Sequence, residues 1–249
     1  MLEVRELTKI YEGGVLALDR VSFEVPKGQF LAVIGLSGSG KSTLLRCINR
    51  LVDPTSGKII WDGYDITAAS QDEMRHVRRK IGMVFQHFNL VARSSVLTNV
   101  LAGRLGYVNP FWSLINRFSR ADVEKALGEL ERVGIRDKAM VRADELSGGQ
   151  QQRVGIARAM MQEPQMILAD EPVASLDPVL AHSIMQYLEQ VNKEGVTVLC
   201  SLHFLDLVHR YANRVIALNQ GKLVFDGLPT EIDDEKFKEI YGREAERVG

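Results

Sequence analysis

FLAVIGLSGSGKSTLLRCINRL, Phe30 to Leu51, decides the fold. It begins with an unbroken apolar run, as a strand buried on both faces requires, and STLLRCINRL then shows helical periodicity. Between the two, GLSGSGKST (Gly35 to Thr43) satisfies G-x-x-x-x-G-K-[ST] in the context that gives the pattern a mechanism, after a strand and opening a helix. Gly35, Gly38 and Gly40 let the backbone wrap closely. Successive N–H groups, through Leu36, Ser37 and Ser39, then aim at β- and γ-phosphates. Lys41 brings a positive charge, Ser42 a hydroxyl for Mg²⁺, and Thr43 a further hydroxyl for the α-phosphate. The competing reading is a Gly/Ser-rich turn that binds nothing, which leaves strand, helix and lysine in register without a reason.

Upstream, VRELTKIYEGGVLALDRVSFEV alternates apolar and polar residues around Gly13-Gly14 and predicts short antiparallel strands. Downstream, the first helix is expected to end near Asp53-Pro54. SGKIIWDGYDI then predicts a strand and turn, QDEMRHVRRK a charged helix, and IGMVF a strand. From Val96 to Arg142 the pattern is helical, including ADVEKALGELERVGI. After it MILAD and VTVLCSL read as strands flanking the helical LAHSIMQYLEQVNKEG, as in a parallel sheet built from βαβ units. RVIALNQGKLVFDG predicts a hairpin turning at Gln220-Gly221, and the charged tail from Asp233 a solvated helix. The fold class is therefore α/β. One domain is expected over 1–249: a core from 1–95 and 143–230 that includes an antiparallel β part, a helical subdomain at 96–142, and a tail at 231–249.

With 45% hydrophobic and 25% charged residues the composition is that of a soluble globular protein. Thirty-one basic against thirty-two acidic residues argue against a sequence-independent nucleic-acid binder. The N-terminus does not read as a secretory signal, and no stretch approaches the roughly 20 apolar residues of a membrane span, so a cytosolic protein is expected. Cys47 and Cys200 have no metal-like spacing and read as small buried hydrophobes.

Other residues gain meaning from the phosphate cradle. Asp170 and Glu171 end a strand as adjacent carboxylates, suited to divide labour between Mg²⁺ and an attacking water; an acidic start to the next helix is the alternative. His203 follows VTVLCSL at a strand end, where it could donate to a γ-phosphate or be structural. Gln86 follows IGMVF, with an amide that could reach Mg²⁺ or water. In LSGGQQQR (Leu146 to Arg153), a serine and two glycines precede a helical run, making a second anion-seeking helix N-terminus.

Taken in order, Tyr11, GLSGSGKST, Gln86, LSGGQ, ILADEP, SLD (Ser175 to Asp177) and His203 resemble the nucleotide-binding subunits of ATP-binding-cassette (ABC) transporters, over about Leu2 to Gly227. The resemblance implies a P-loop ATPase with a mixed, largely parallel RecA-like sheet, an antiparallel β subdomain and an inserted helical subdomain. It implies ATP and Mg²⁺ as ligands. Tyr11 would stack on adenine, although its spacing also suits a strand aromatic packed on the core. Ser42, Gln86 and Asp170 would attend Mg²⁺, Glu171 would be the base, and His203 would grip the γ-phosphate. Ser147, Gly148, Gly149 and Gln150 would serve the nucleotide of a second copy packed head to tail, with Asp177 at the seam.

One cassette per chain implies a homodimer, working with separate transmembrane permease subunits and an extracytoplasmic substrate-binding protein, at the cytoplasmic face of the inner or plasma membrane. The helical insertion, hinged at Gln86, is where the permease docks in this family. Tyr107, Phe111, Trp112 and Phe118 could line that groove or fill a helical core. NVLAGRLGY, DEPVASLDP and LDLVHRYANRVIALNQGKLVFDG resemble the phosphonate-import branch. Ser201 and Phe204 depart from that branch, where Asn and Gln are usual, which keeps phosphite or another small oxyanion open as the cargo. A soluble ABC ATPase acting on nucleic acid or ribosomes is the reading from another class. Such relatives usually fuse two cassettes or carry a long coiled coil, and neither is seen here.

Overall fold

The computed structural model describes residues 1–108, 118–174 and 176–241. Five strands form a parallel array: β3 (Phe30–Ile34), β6 (Ile81–Val84), β7 (Met166–Ala169), β8 (Thr197–Ser201) and β9 (Arg214–Asn219). An antiparallel strand, β10 (Lys222–Gly227), closes one edge, and the order is β10-β9-β3-β8-β7-β6. β1 (Leu2–Ile10), β2 (Leu16–Val25), β4 (Ser56–Trp61) and β5 (Tyr64–Asp65) form a separate antiparallel sheet in the order β2-β1-β4-β5.

The central strands are almost wholly apolar because both faces are covered, with Thr197 and Ser201 only at the two ends of β8. On β3, Phe30, Ala32 and Ile34 join one buried cluster while Leu31 and Val33 join another. β7, β8 and β9 alternate in the same way. One cluster reaches the antiparallel sheet, α1 (Lys41–Ile48) and α2 (Gln71–Arg79); the other reaches α3 (Val96–Leu101), α4 (Arg120–Arg132), α5 (Gly148–Met160), α6 (Pro178–Lys193) and α7 (Leu205–Tyr211). Cys47 and Cys200 lie one in each cluster, both fully buried, and burial pushes the Cys47 thiol up to about 12 and raises that of Cys200.

Register sets what emerges from the sheet. Val33 lies beside Ser201, Ala169 beside Cys200, and Val84 beside Ala169. The carboxyl ends of β3, β6, β7 and β8 are therefore level, and the residues that follow them share one edge, where ligands gather in parallel α/β sheets.

The predicted helical stretch closes on itself at its neck. Ser95 and Arg142 form an isolated bridge, and Val96 N–H donates to the Val141 carbonyl at 2.9 Å. Its described helices share the core of the sheet: Val96, Val100, Ala126 and Leu130 belong to the same cluster as Val154 on α5 and Ile167 on β7.

Two expectations need correction. α1 ends at Ile48, ahead of Asp53-Pro54, because Arg50 turns left-handed (φ 48°) and Leu51 and Val52 N–H groups fold back on the Arg46 carbonyl. The C-terminal helix, α8 (Asp234–Tyr241), is not simply solvated. Phe237, Ile240 and Tyr241 recur at helical spacing, Ile240 is fully buried, and Asn219 Nδ2 donates to the Glu239 carbonyl at 3.0 Å. Residues 242–249 lie outside the described residues.

The antiparallel sheet turns at a bulge where the β1–β4 register shifts between Arg5 and Thr8. Gly57 lies opposite with φ 90°, and a Cβ there would stand 2.4 Å from the Glu6 carbonyl oxygen. Gly57→Ala should therefore destabilise the protein by more than about 1 kcal/mol, read as a lower urea midpoint at unchanged slope.

Candidate functional site

The loop after β3 is shaped by close approach. A Cβ on Gly35 would meet the Leu218 carbonyl oxygen at 2.1 Å, and one on Gly40 the Ala17 oxygen at 2.5 Å; both residues have positive φ. Only glycine fits, so the loop is pressed between the ends of β2 and β9. The β9–β10 turn clamps it further, with Gly221 N–H donating to the Ser39 carbonyl at 3.0 Å.

Lys41 opens α1 with its ammonium folded back into the loop, donating to the Gly35 and Leu36 carbonyls at 2.9 and 3.0 Å. Burial pulls its pKa below the usual lysine value, against the opposing pull of Glu171 and Asp170. Ser42 hydroxyl donates to Asp170 Oδ1 at 2.7 Å, and Arg46 Nη2 lies 3.3 Å from Asp170 Oδ2. Asp170 is fully buried. Glu171, at φ 48°, turns away from β7, and its Oε1 meets His203 Nε2 at 2.6 Å and Lys41 Nζ at 3.9 Å.

Lys41, Ser42, Thr43, Gln86 and Glu171 line one cleft of about 250 Å³ with Ser37, Gly38 and Gly40. Residues from three separate strand ends thus converge as their motifs predict. His203 reaches the cleft through the carboxylate of Glu171. Tyr11 is not core packing: it is 37% exposed, with its hydroxyl 3.3 Å from Thr43 Oγ1 and Lys9 Nζ 5.2 Å from its ring centre.

LSGGQ stands elsewhere. Ser147 caps α5, accepting from Gln150 N–H at 3.4 Å, while Gln150 Oε1 accepts from Ser147 N–H at 3.0 Å. That reciprocal box leaves the N–H groups of Gly148 and Gly149 as first-turn donors without an intrahelical partner. None of Ser147 to Gln150 lines the cleft that holds Lys41. Asp177 caps α6, accepting from Leu180 N–H at 3.0 Å, and Leu180 packs so closely on Gly149 that a Cβ there would lie 2.7 Å away. The two helix starts form one surface. Ser175 lies outside the described residues.

Comparison with known proteins agrees with this geometry. The ABC transporter family model matches residues 18–174. The chain belongs to the ABC transporter family. It is 54% identical, over its whole length and 96% of the relative, to the phosphonates import ATP-binding protein PhnC of Bdellovibrio bacteriovorus. It is 53% identical to a protein of that name from Halalkalibacterium halodurans, over 98% of this chain and 95% of the other. Among solved structures, a dimeric ATP-binding cassette in a post-hydrolysis state with ADP and Pi is 34% identical with a TM-score of 0.83, over 92% of this chain and 99% of that one.

Three residues of this ABC cassette escaped the motif reading as parts of the site. Arg46, on the helix after the loop, pairs with the buried Asp170. Ser201 ends β8 under the two acids, with Oγ accepting from Glu171 N–H at 2.8 Å. Arg158 on α5 donates to the Phe88 and Asn89 carbonyls at 2.8 and 2.5 Å, holding two consecutive left-handed residues just after Gln86. For Arg46 and Arg158, position on a helix face gives no sign of such partners. The Tyr107 hydroxyl lies 3.1 and 2.9 Å from the Arg79 and Gln162 carbonyls, either of which its single proton can reach, beneath the Arg104 guanidinium, and Phe118 packs on the main cluster; Phe111 and Trp112 lie outside the described residues.

Burying the Lys41 ammonium opposes folding, since its folded pKa lies below the unfolded value of 10.5. The penalty is full below the folded pKa and fades as pH rises from there towards 10.5, because the folded state sheds its proton first. Lys41→Met should hold or raise the urea midpoint at neutral pH, and the wild type should gain on the variant as pH climbs through that window.

Proposed function

We propose that this chain is the ATP-hydrolysing, energy-coupling subunit of a phosphonate importer. One observation carries the reading: Lys41 and Ser42 of the cradle meet Asp170 and Glu171 at the end of β7, in a chain 54% identical throughout to a phosphonates import ATP-binding protein.

The residues fit the ligand. A loop that admits only glycine at positions 35 and 40 brings backbone close to a triphosphate, so the N–H groups from Gly35 through Leu36, Ser37, Gly38, Ser39 and Gly40 would hold phosphate oxygens. Lys41 supplies charge and Thr43 a hydroxyl, while the half-exposed Tyr11 ring at the mouth of the cradle would stack on adenine. Ser42, Gln86 and Asp170 would hold Mg²⁺, a hard cation that such sites share with substrate phosphates and that neutralises charge on the β- and γ-oxygens when bound.

Glu171 would take a proton from the attacking water as its oxygen bonds to the γ-phosphorus and the bond to the ADP oxygen breaks. His203 Nε2, fixed against Glu171, would contact the γ-phosphate. The nearness of Glu171 to Lys41, and of His203 to Glu171, supports this division of labour.

Ser147, Gly148, Gly149 and Gln150 would complete the site of a second copy, with Asp177 beside them. Their absence from the lining of this chain's own cleft supports that reading, as does the dimeric relative. The homodimer would close on ATP and open after hydrolysis, driving permease subunits docked at the helical insertion and supplied by an extracytoplasmic substrate-binding protein. No helix among the described residues is long and apolar enough to cross a membrane. The subunit would sit peripherally at the cytoplasmic face of the membrane.

In the complex with permease and loaded binding protein, Glu171→Gln should lower multiple-turnover phosphate release by roughly 10²–10⁴-fold while ATP still binds; unchanged release refutes the assigned base. Ser147→Arg should leave ATP binding to the isolated subunit intact but abolish the ATP-dependent dimer in size-exclusion chromatography. Loss of binding by the monomer would mean that α5 serves its own cradle.

A further inference from the structure

We propose that Ser201 is a positioning residue: its hydroxyl sets the main chain of Glu171 and thereby aims the carboxylate. The inference rests on the assignment of Glu171 as the base. Ser201 is the last residue of β8 and is fully buried. Its Oγ accepts from Glu171 N–H at 2.8 Å and lies 3.3 Å from Asp170 Oδ1 and 3.4 Å from the Ala169 carbonyl, to which its single proton can go. One side chain thus touches three consecutive residues of the segment that delivers both acids.

Glu171 depends on such a hold. Asp170 N–H continues the ladder to β6, donating to the Val84 carbonyl at 2.9 Å. The next N–H leaves the ladder because Glu171 turns to φ 48°, a region that non-glycine residues seldom occupy. The Ser201 hydroxyl is the acceptor that meets it there. Without that bond a part-buried donor is stranded, and the peptide can relax towards ordinary φ, swinging the carboxylate from its place 2.6 Å from His203 Nε2.

Ser201 bonds to no residue of the phosphate cradle, and Asp170 keeps Ser42 and Arg46 without it. The loss should therefore fall on turnover and spare nucleotide binding. The Ser201 substitutions form a graded series. Ala removes the hydroxyl and leaves a small cavity. Cys fills nearly the same volume with a weak acceptor, and Thr keeps the hydroxyl.

The test measures phosphate release against ATP concentration for Ser201→Ala, Ser201→Cys and Ser201→Thr in the full transporter complex, with thermal unfolding of each. Ala and Cys should lower kcat about tenfold or more, equivalent to about 1.4 kcal/mol, with KM for ATP unchanged, and Thr should restore most of the rate. Wild-type turnover in the Cys variant, failure of Thr to rescue, or rates that simply follow Tm across the series would overturn the proposal. Glu171→Gln is run beside them. If hydrolysis survives that change, the base assignment falls and this inference with it; if hydrolysis is lost while the Cys variant is normal, only the role of Ser201 falls.

Discussion

A buried carboxylate joins the parts of this molecule. Asp170 is inaccessible to solvent, and an ion in that position is tolerated only where hydrogen bonds and opposite charge replace water. Ser42 comes to it from the helix after β3, Arg46 from one turn further along, and Ser201 from the end of β8. The phosphate cradle and the two neighbouring strand ends are thus referenced to a single group. Their level ends follow from sheet register, but register alone would leave side chains free to choose their rotamers. The carboxylate removes that freedom.

The sequence disclosed the fold well because its strongest signals are local. A continuous apolar strand, a glycine-bearing loop and a helix in immediate succession leave few alternatives, and MILAD and VTVLCSL repeat the same buried signature. Strand geometry already sends Leu31 and Val33 to the opposite face from Phe30, Ala32 and Ile34. What the apolar run could not disclose was which elements cover each face. The end of α1 was hidden for a similar reason: Asn49, Arg50 and Leu51 are acceptable helix residues, and it is a left-handed turn at Arg50 that stops the helix. In the tail, charge masked a stripe of three apolar residues.

At the site, residue types at fixed spacing named the groups, and their pairing came only from three dimensions. Asp170 and Glu171 are adjacent in sequence but end in different surroundings, one sealed against Ser42 and the other turned out to His203, because a change in backbone sign lies between them. Ser201 had been notable only as a departure from a related pattern. Its use follows from facing β7 across the sheet, a relation between residues thirty positions apart that no local window contains.

The bond from Arg158 to the carbonyls of Phe88 and Asn89 bears on how force moves through the cassette. A half-buried guanidinium with two bonds, on residues already bent left-handed, ties the segment after Gln86 to α5. Gly148 lies at the other end of the same helix, near the Phe88 ring. A tilt of α5 would be passed on like the throw of a rigid crank, because a push at the glycine-rich end must displace the glutamine segment in the same stroke.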